Sequence, residues 1–273
     1  MVLKHWKGCE NTLKISINCP SYKRPKVETL EYIGSCKVWV AEREYDDYLA
    51  ANPNHKENIV SVPNEVQGNV CRIRNYILDH ELAENDVVLL IDDDLASVKR
   101  FEPEGIYGYN DVNVSEDELY DMLARYSVLC RDFGYKHWGI MCNQDSLSYR
   151  QTTPFSTVSY IGSPFSVFID GNPLRYDERL PLKEDYDMTL QNCNVYRGCL
   201  RVNKYHYDCK QSKQKGGCAT YRNYNREKEQ LELLQKKWGG QIVKIDHALN
   251  HNAKKVKKNI DYNPIIHIPI SGV

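Results

Sequence analysis

The chain has 273 residues, of which 41% are hydrophobic and 27% are charged, and its net charge is −1. This length accommodates one large α/β domain with an appended region, or two small domains. The N-terminus has no apolar stretch and no apolar run reaches membrane-spanning length, so we predict neither a signal peptide nor membrane attachment. The ten cysteines include no CxxC pair and no zinc-finger spacing. That pattern excludes a zinc finger and favours a cytoplasmic protein with reduced thiols over a disulfide-rich secreted chain.

The small net charge conceals a basic C-terminal part. Residues 204–258 contain 14 Lys and Arg against 5 Asp and Glu, whereas the rest of the chain contains 22 against 32. Such an asymmetry is typical of a surface that binds a polyanion, although a solvated helical face produces the same pattern.

Strands and helices are predicted to alternate along the first part of the chain. Residues 14–19 alternate in polarity and predict a first strand, which ends at Pro20 and is followed by a helix. Further strands are predicted at residues 37–41, 59–62 and 87–91, and helices at residues 42–49 and 68–78. This alternation predicts βαβ units, a parallel sheet and right-handed crossovers.

The predicted strand at residues 87–91 runs directly into Asp92, Asp93 and Asp94. Its unbroken aliphatic run indicates burial on both faces, and unpaired charges are too costly to bury within it. We therefore expect the carboxylates at its C-terminal end, the edge of an open α/β sheet where ligands bind. Crowded carboxylates repel one another unless a cation shares them, and oxygen ligands suit Mg²⁺ or Mn²⁺. The alternative is an acidic turn that caps a following helix.

The second half of the chain continues the α/β pattern. Residues 101–113 predict a loop, and Ser115 with Glu118 forms a capping box that begins a helix reaching residue 129. Strands are predicted at residues 138–142, at 158–161 and 165–169 around a Gly-Pro bend, and at 201–208. A basic loop at residues 210–218 and an amphipathic helix at residues 225–238 follow.

A second acidic cluster, Glu184, Asp185 and Asp187, stands at the predicted start of a helix. The helix dipole alone would favour negative charge there. Two acidic clusters at element edges also suit a displacement reaction, in which one holds a metal against a diphosphate and the other supplies a general base for a hydroxyl. The cations near the early turns are candidates for phosphate contact: Lys23, Arg24, Arg72 and Arg74.

The order of these motifs resembles that of the GT-A glycosyltransferases. The resemblance covers roughly residues 14–218 and rests on residues 17–25, 74–75 and 91–95, Gly162, residues 183–187 and His206. Within that superfamily, residues 183–190 followed by 215–218 resemble the TET/JBP-associated glycosyltransferases. Many of those are phage-encoded and are thought to act on hydroxymethylated pyrimidines in DNA. The resemblance implies an α/β catalytic domain over residues 1–218, with a mixed, mainly parallel Rossmann-like sheet flanked by helices. A basic helical extension over residues 219–273 would pack on it.

The resemblance also implies a role for each matched residue. Asp94, with Asp92 and His206, would bind the metal, and Asp185, with Glu184 beside it, would be the catalytic base. The donor-binding residues would be Pro20, Tyr22, Arg24, Arg74, Asp92, Asp93 and Gly162. The implied cofactors are Mn²⁺ or Mg²⁺ and a nucleotide-sugar donor, expected to be a UDP-sugar.

If the acceptor is DNA, the basic C-terminal part has a use, because phosphate contacts supply much of the affinity for DNA. The candidate DNA-binding residues are Lys210, Lys213, Lys215, Lys254, Lys255, Lys257 and Lys258. Interleaved aromatic residues offer stacking to an exposed base, and a base within a duplex would have to be flipped out. A phage-encoded enzyme would work in the host cytoplasm, without an obligate protein partner.

Three other functions remain open at this stage. The acceptor of a GT-A enzyme is alternatively a glycan, a protein or a small molecule. A nucleotidyltransferase on a similar fold would use the same acidic edge. A non-catalytic nucleic-acid-binding module would use only the basic part, and the carboxylates argue against it, because they contribute nothing to binding a polyanion.

Overall fold

A computed structural model describes residues 13–104, 108–209, 216–245 and 262–270. The strands are β1 (Ile15–Pro20), β2 (Lys37–Ala41), β3 (Ile59–Val62), β4 (Val87–Ile91), β5 (Leu95–Glu104), β6 (Gly108–Asn113), β7 (His137–Met141), β8 (Phe155–Ser156), β9 (Phe165–Ile169), β10 (Leu200–Cys209), β11 (Val243–Ile245) and β12 (Pro264–Ile266). The α-helices are α1 (Tyr45–Ala51), α2 (Val70–Glu81), α3 (Glu116–Asp132), α4 (Glu184–Tyr196) and α5 (Tyr224–Trp238).

Ten strands form one mixed sheet in the order β3-β2-β1-β4-β9-β7-β10-β5-β6, with β8 paired to β10. Seven of these strands run in the same direction, whereas β5, β8 and β9 run against them. The prediction of a mixed, mainly parallel sheet flanked by helices is therefore confirmed. The strands β11 and β12 form a separate antiparallel pair.

The central strand β4 is buried on both faces, as its sequence predicts. Val87, Leu89 and Ile91 pack with apolar residues of α3 on one face of the sheet. Val88 and Leu90 pack with apolar residues of α2 on the other. Because successive strand residues face opposite sides, one aliphatic run contributes to both cores.

Most of the predicted elements are present, and three predictions are wrong. The residues after Pro20 form a bend and then a short 3-10 helix at Glu28–Glu31. Residues 101–113 were predicted as a loop, but residues 101–104 belong to β5 and residues 108–113 form β6, which pairs with it. These half-exposed strands lack the apolar run of a buried strand. Residues 158–161 are not a strand, and within them the Ile161 N–H donates instead to Thr189 Oγ1 of α4 at 3.2 Å. The capping box of Ser115 and Glu118 is confirmed.

The helix α5 packs on α4 and on the loop that precedes it. Leu231 and Leu234 lie in one buried cluster with Leu180 and Leu190. Lys183, the residue before α4, forms an ion pair with Glu227 of α5, and both side chains are at most 2% exposed. The boundary at residue 218 between a catalytic domain and an extension stays a prediction. In the part of the chain that is described, no helix is long and apolar enough to cross a membrane.

The Lys183 and Glu227 pair gives a test of how α5 is held. We expect Glu227→Gln to lower the free energy of unfolding by about 3 kcal/mol, because the buried Lys183 ammonium loses its counter-charge. The matched control is Glu229→Gln, an exposed position on the same helix, which should change stability by less than about 0.5 kcal/mol. Urea unfolding of both variants measures the difference, and equal stabilities would contradict the role of the pair.

Candidate active site

A cavity of about 320 Å³ opens where β1 and β4 end and where α2 and α4 begin. Asp94, the predicted metal ligand, and Asp185, the predicted catalytic base, both line it. Its wall also contains the other predicted donor-binding residues except Gly162: Pro20, Tyr22, Arg24, Arg74, Asp92 and Asp93. The cavity therefore lies at the carboxyl edge of the parallel strands, where an open α/β sheet binds its ligands.

The Asp triplet lies in a turn between β4 and β5. The Glu28 N–H donates to the Asp93 carbonyl at 3.1 Å, and the Thr29 hydroxyl donates to the Asp92 carbonyl at 2.7 Å. These bonds from the 3-10 helix fix the backbone of the turn. Because a strand follows the triplet at Leu95, the acidic residues do not cap a helix, and that alternative is excluded.

Each aspartate of the triplet has a different environment. Asp93 accepts hydrogen bonds from Ser21 Oγ at 2.6 Å and from Arg24 Nη1 at 2.7 Å. Asp92 accepts one from Arg74 Nη2 at 2.7 Å. Asp94 lies 3.6 Å from Arg24 Nη1, and burial, followed by the charges of Asp92 and Asp93, raises its pKa to about 7. Within the Asp triplet, Asp94 therefore has the negative charge that neighbouring cations compensate least.

Arg74 joins the two acidic clusters. Its guanidinium donates to Asp92 through Nη2 and to Glu184 and Ser163 through Nη1, at distances of 2.7 to 2.9 Å. Its side chain is 3% exposed, and its Nε has no hydrogen-bond partner among the described residues. The contact of Arg74 with the donor stays a prediction, and in the structure both Nη groups donate to protein oxygens.

The first turn of α4 presents Glu184 and Asp185 to the cavity. Glu184 accepts hydrogen bonds from Arg74 and from Ser163, and burial, followed by the charge of Asp185, raises its pKa to about 7. Asp185 accepts one hydrogen bond from the Tyr160 hydroxyl and one from the Tyr186 N–H, the latter at 2.8 Å. Both carboxylates therefore lie at the positive end of a helix of 13 residues, with fixed orientations.

Asp187, the third residue of the second cluster, has a different role. Its side chain is fully buried and accepts hydrogen bonds from Trp238 Nε1 at 2.8 Å and from Lys237 Nζ at 2.9 Å. It therefore ties the end of α5 to α4 and does not line the cavity.

The two remaining predicted residues, Gly162 and His206, lie outside the cavity wall. The ring of His206 stacks on Phe101 with centroids 4.5 Å apart, and its Nε2 is 3.1 Å from Asp111. The β10 side chain that contacts Asp94 belongs instead to Cys209, three residues later. A Cβ atom on Gly162 would lie 2.5 Å from the Tyr207 hydroxyl and 2.8 Å from Cys142 Sγ, so this position has no room for a side chain.

Paired glycines bring the C-terminal part of the chain over the cavity. Gly216 and Gly217 have φ angles of 108° and 51°, which favour glycine. The Gly217 N–H donates to the Tyr22 carbonyl at 2.8 Å, and a Cβ on Gly216 would lie 2.5 Å from the Lys23 carbonyl oxygen. Cys218, the last residue of the motif at residues 215–218, lines the cavity, and so do Arg222 and Asn263, which belong to no motif.

The charges around the cavity suit a divalent cation that binds together with a diphosphate. Counted over the described residues, the wall contains six carboxylates and four cationic side chains, and the sum of these charges is negative when all are ionised. A diphosphate would add further negative charge. Among the described residues no group of three or more His, Cys, Asp or Glu side chains could hold a metal alone. Mg²⁺ is commonly held by one or two carboxylates and by substrate phosphates, and Asp94 with Asp92 supplies such carboxylates.

The predicted DNA-binding lysines at positions 210, 213, 215, 254, 255, 257 and 258 lie outside the described residues. Lys23 and Arg72, two of the four candidates for phosphate contact, do not line the cavity. Lys23 Nζ lies over the Tyr22 ring, 5.0 Å from its centroid, and Arg72 pairs with the exposed Glu178 at 2.9 Å.

Comparison with known structures identifies the fold. The chain is similar to the mannosyltransferase PcManGT from Pyrobaculum calidifontis, solved with GDP-Man and Mn²⁺, at 12% identity and a TM-score of 0.50. That similarity covers 94% of this chain and 68% of PcManGT. At this identity it establishes the fold alone, and the predicted GT-A-type fold is confirmed.

Two further structures were also found. A197 from STIV has 12% identity and a TM-score of 0.40, with 75% of this chain and 89% of that one covered. S. aureus TarS has 14% identity and a TM-score of 0.40, with 82% of this chain and 40% of TarS covered. No protein-family model matches the sequence, and no curated protein matches it.

The raised pKa of Glu184 predicts a pH dependence of stability. Because this pKa rises from 4.5 to about 7 on folding, the folded state keeps a proton that the unfolded state loses. The resulting stabilisation is complete below a pH of about 4.5 and is lost as the pH rises through about 7. Glu184→Gln should therefore become more stable relative to wild type as the pH increases across this window. Urea unfolding at several pH values measures the difference, and parallel curves for both proteins would contradict the raised pKa.

Proposed function

We propose that this protein is a metal-dependent glycosyltransferase that moves a sugar from a nucleotide-sugar donor to a hydroxyl group. The observation that carries the proposal is the shared cavity of Asp94 and Asp185, in which Arg74 connects Asp92 with Glu184. Displacement of a nucleoside diphosphate requires compensation of the charge on the leaving group and removal of a proton from the nucleophile. The two acidic clusters supply one group for each requirement.

The donor would bind at the Asp triplet. Asp94 and Asp92 are the proposed ligands of Mn²⁺ or Mg²⁺, and the bound cation supplies positive charge beside the diphosphate. Asp93 is anchored by Ser21 and Arg24, so its carboxylate is fixed beside the metal ligands. Pro20 and Tyr22 line the same side of the cavity and are proposed to contact the nucleoside. A UDP-sugar is the proposed donor.

The acceptor would be activated by Asp185. This carboxylate lines the cavity, and its two hydrogen-bond donors, Tyr160 and the Tyr186 N–H, hold it in place. In the proposed step the acceptor oxygen forms a bond to the sugar anomeric carbon while the bond from that carbon to the diphosphate breaks. The hydroxyl proton passes to Asp185. Glu184, whose pKa is about 7, lies beside it and is bound to Arg74.

We further propose a hydroxymethylated pyrimidine in DNA as the acceptor. The resemblance of residues 183–190 and 215–218 to the TET/JBP-associated enzymes supports this choice. The aromatic lining of the cavity also supports it, because aromatic side chains suit a base that is flipped out of the duplex. Of the residues that the structure describes, the tyrosines of the wall are Tyr22, Tyr160, Tyr186, Tyr207 and Tyr221.

The assignment of Asp94 as a metal ligand is tested by measuring how UDP binds to Asp94→Asn. We expect Mn²⁺ to strengthen UDP binding to the wild type by at least about tenfold, since the cation neutralises a diphosphate beside carboxylates. Asp94→Asn should lose this dependence. The matched control, Asp132→Asn, changes an exposed residue at the end of α3 and should keep it. Isothermal titration calorimetry with and without Mn²⁺ measures both, and metal-dependent binding by Asp94→Asn would remove this residue as a ligand.

The transfer reaction is tested with DNA that contains 5-hydroxymethylcytosine or 5-hydroxymethyluracil. Wild-type protein is incubated with this DNA, Mn²⁺ and a panel of UDP-glucose, UDP-N-acetylglucosamine and GDP-mannose, and the nucleosides are analysed by mass spectrometry. Asp185→Asn should bind UDP as the wild type does but lose transfer by about 10²-fold or more, because a general base is removed. Normal transfer by this variant would exclude Asp185 as the base.

The same reactions separate the alternatives. Release of UDP without a DNA product, increased by added oligosaccharides, peptides or small alcohols, would indicate a different acceptor. Release of pyrophosphate from a nucleoside triphosphate would indicate a nucleotidyltransferase. A gel shift of DNA with no release of UDP under any condition would indicate a binding module.

A further inference from the structure

The loop between β8 and β9 gives one hydroxyl group to each catalytic carboxylate. Tyr160 donates a hydrogen bond to Asp185 Oδ2, and Ser163 donates one to Glu184 Oε1 at 3.0 Å. Both hydroxyls come from four consecutive residues, which the sequence predicted as the end of a strand followed by a Gly-Pro bend. The loop is therefore placed to orient the start of α4, although it contains no acid or base.

The position of this loop is fixed from both sides. The Ile161 N–H donates to Thr189 Oγ1 of α4 at 3.2 Å, which attaches the loop to the helix whose carboxylates it contacts. On the opposite side, Gly162 packs so closely on Tyr207 and Cys142 that a Cβ atom would overlap with both. Tyr160 also stacks on Tyr186 with ring centroids 4.3 Å apart. The Tyr160 hydroxyl has little freedom to leave Asp185.

We propose that Tyr160 is a positioning residue for the general base. Its hydroxyl holds Asp185 Oδ2 while the Tyr186 N–H holds Oδ1, so the carboxylate plane is fixed before the acceptor arrives. This inference rests on the proposed function and adds a residue to it.

The Tyr160 hydroxyl is the donor in this contact. Burial, followed by the charge of Asp185, raises the pKa of Tyr160 well above its usual value, so the phenol keeps its proton and acts as a donor. A hydrogen bond to an ionised carboxylate is stronger than one between neutral groups, so it restricts the orientation of Asp185.

The test uses Tyr160→Phe, which removes the hydroxyl and keeps the stacked ring. In the transfer reaction it should lower kcat by about tenfold to a hundredfold and leave the donor KM unchanged, because misorientation of a base affects the chemical step. The matched control is Tyr149→Phe, whose ring packs on Phe101 outside the cavity and whose kcat should equal that of the wild type.

A second measurement does not depend on turnover. Protein labelled with aspartate carrying ¹³C at the side-chain carboxyl is examined by NMR, and the Asp185 resonance is assigned by its loss in Asp185→Asn. Because the carboxylate loses the hydrogen bond from Tyr160, its chemical shift should change in Tyr160→Phe and should keep the wild-type value in Tyr149→Phe. An unchanged chemical shift in Tyr160→Phe, or a kcat equal to that of the wild type, would overturn the positioning role. Absence of turnover by the wild type with every donor would overturn the proposed function itself, and the role with it.

Discussion

The candidate site depends on one cation, the guanidinium of Arg74, which lies between two carboxylates. Its donors reach Asp92 at the end of β4 and Glu184 at the start of α4. These residues are far apart in the chain and carry like charges, and without Arg74 their approach would be unfavourable. A planar guanidinium can bond two oxygen atoms in fixed directions, so it also sets the distance between the clusters. The side chains of Arg74 and Glu184 are at most 10% exposed, and solvent therefore weakens this ion pair little.

The sheet supplies the second constraint, because it determines where each cluster can lie. The strand β4 is buried on both faces and ends at Ile91, so the three aspartates leave the sheet together. On the neighbouring strand, β9 runs antiparallel to β4, and the loop before β9 therefore emerges at the same edge. This arrangement brings the hydroxyls of Tyr160 and Ser163 to the carboxylates of α4.

The electrostatic balance of the cavity connects the fold with the proposed chemistry. Burial raises the pKa of both Asp94 and Glu184 to about 7, although each belongs to a different cluster. A carboxyl group with a pKa of about 7 gains or loses its proton near neutral pH. It can therefore bind a cation when ionised, or act as an acid or a base. Burial raises the pKa of Asp93 as well, so the contrast is with Asp187, which is held by Lys237 and Trp238 and does not line the cavity. Residue type alone does not indicate which carboxylates line the cavity.

The sequence alone determined the features that depend on local interactions. These are the strand at Val87–Ile91, the exit of Asp92 to Asp94 from the sheet, the capping box at Ser115, and α4 with its acidic first turn. Only the tertiary structure decided which of the similar side chains share the cavity. In that structure Arg74 lies between the two clusters, Tyr160 donates to Asp185, and His206 stacks on Phe101. Residues 158–161, which the sequence predicted as a strand, form a loop. Local periodicity reports burial along one element, whereas these contacts join residues from different elements and arise only when the sheet and helices pack together.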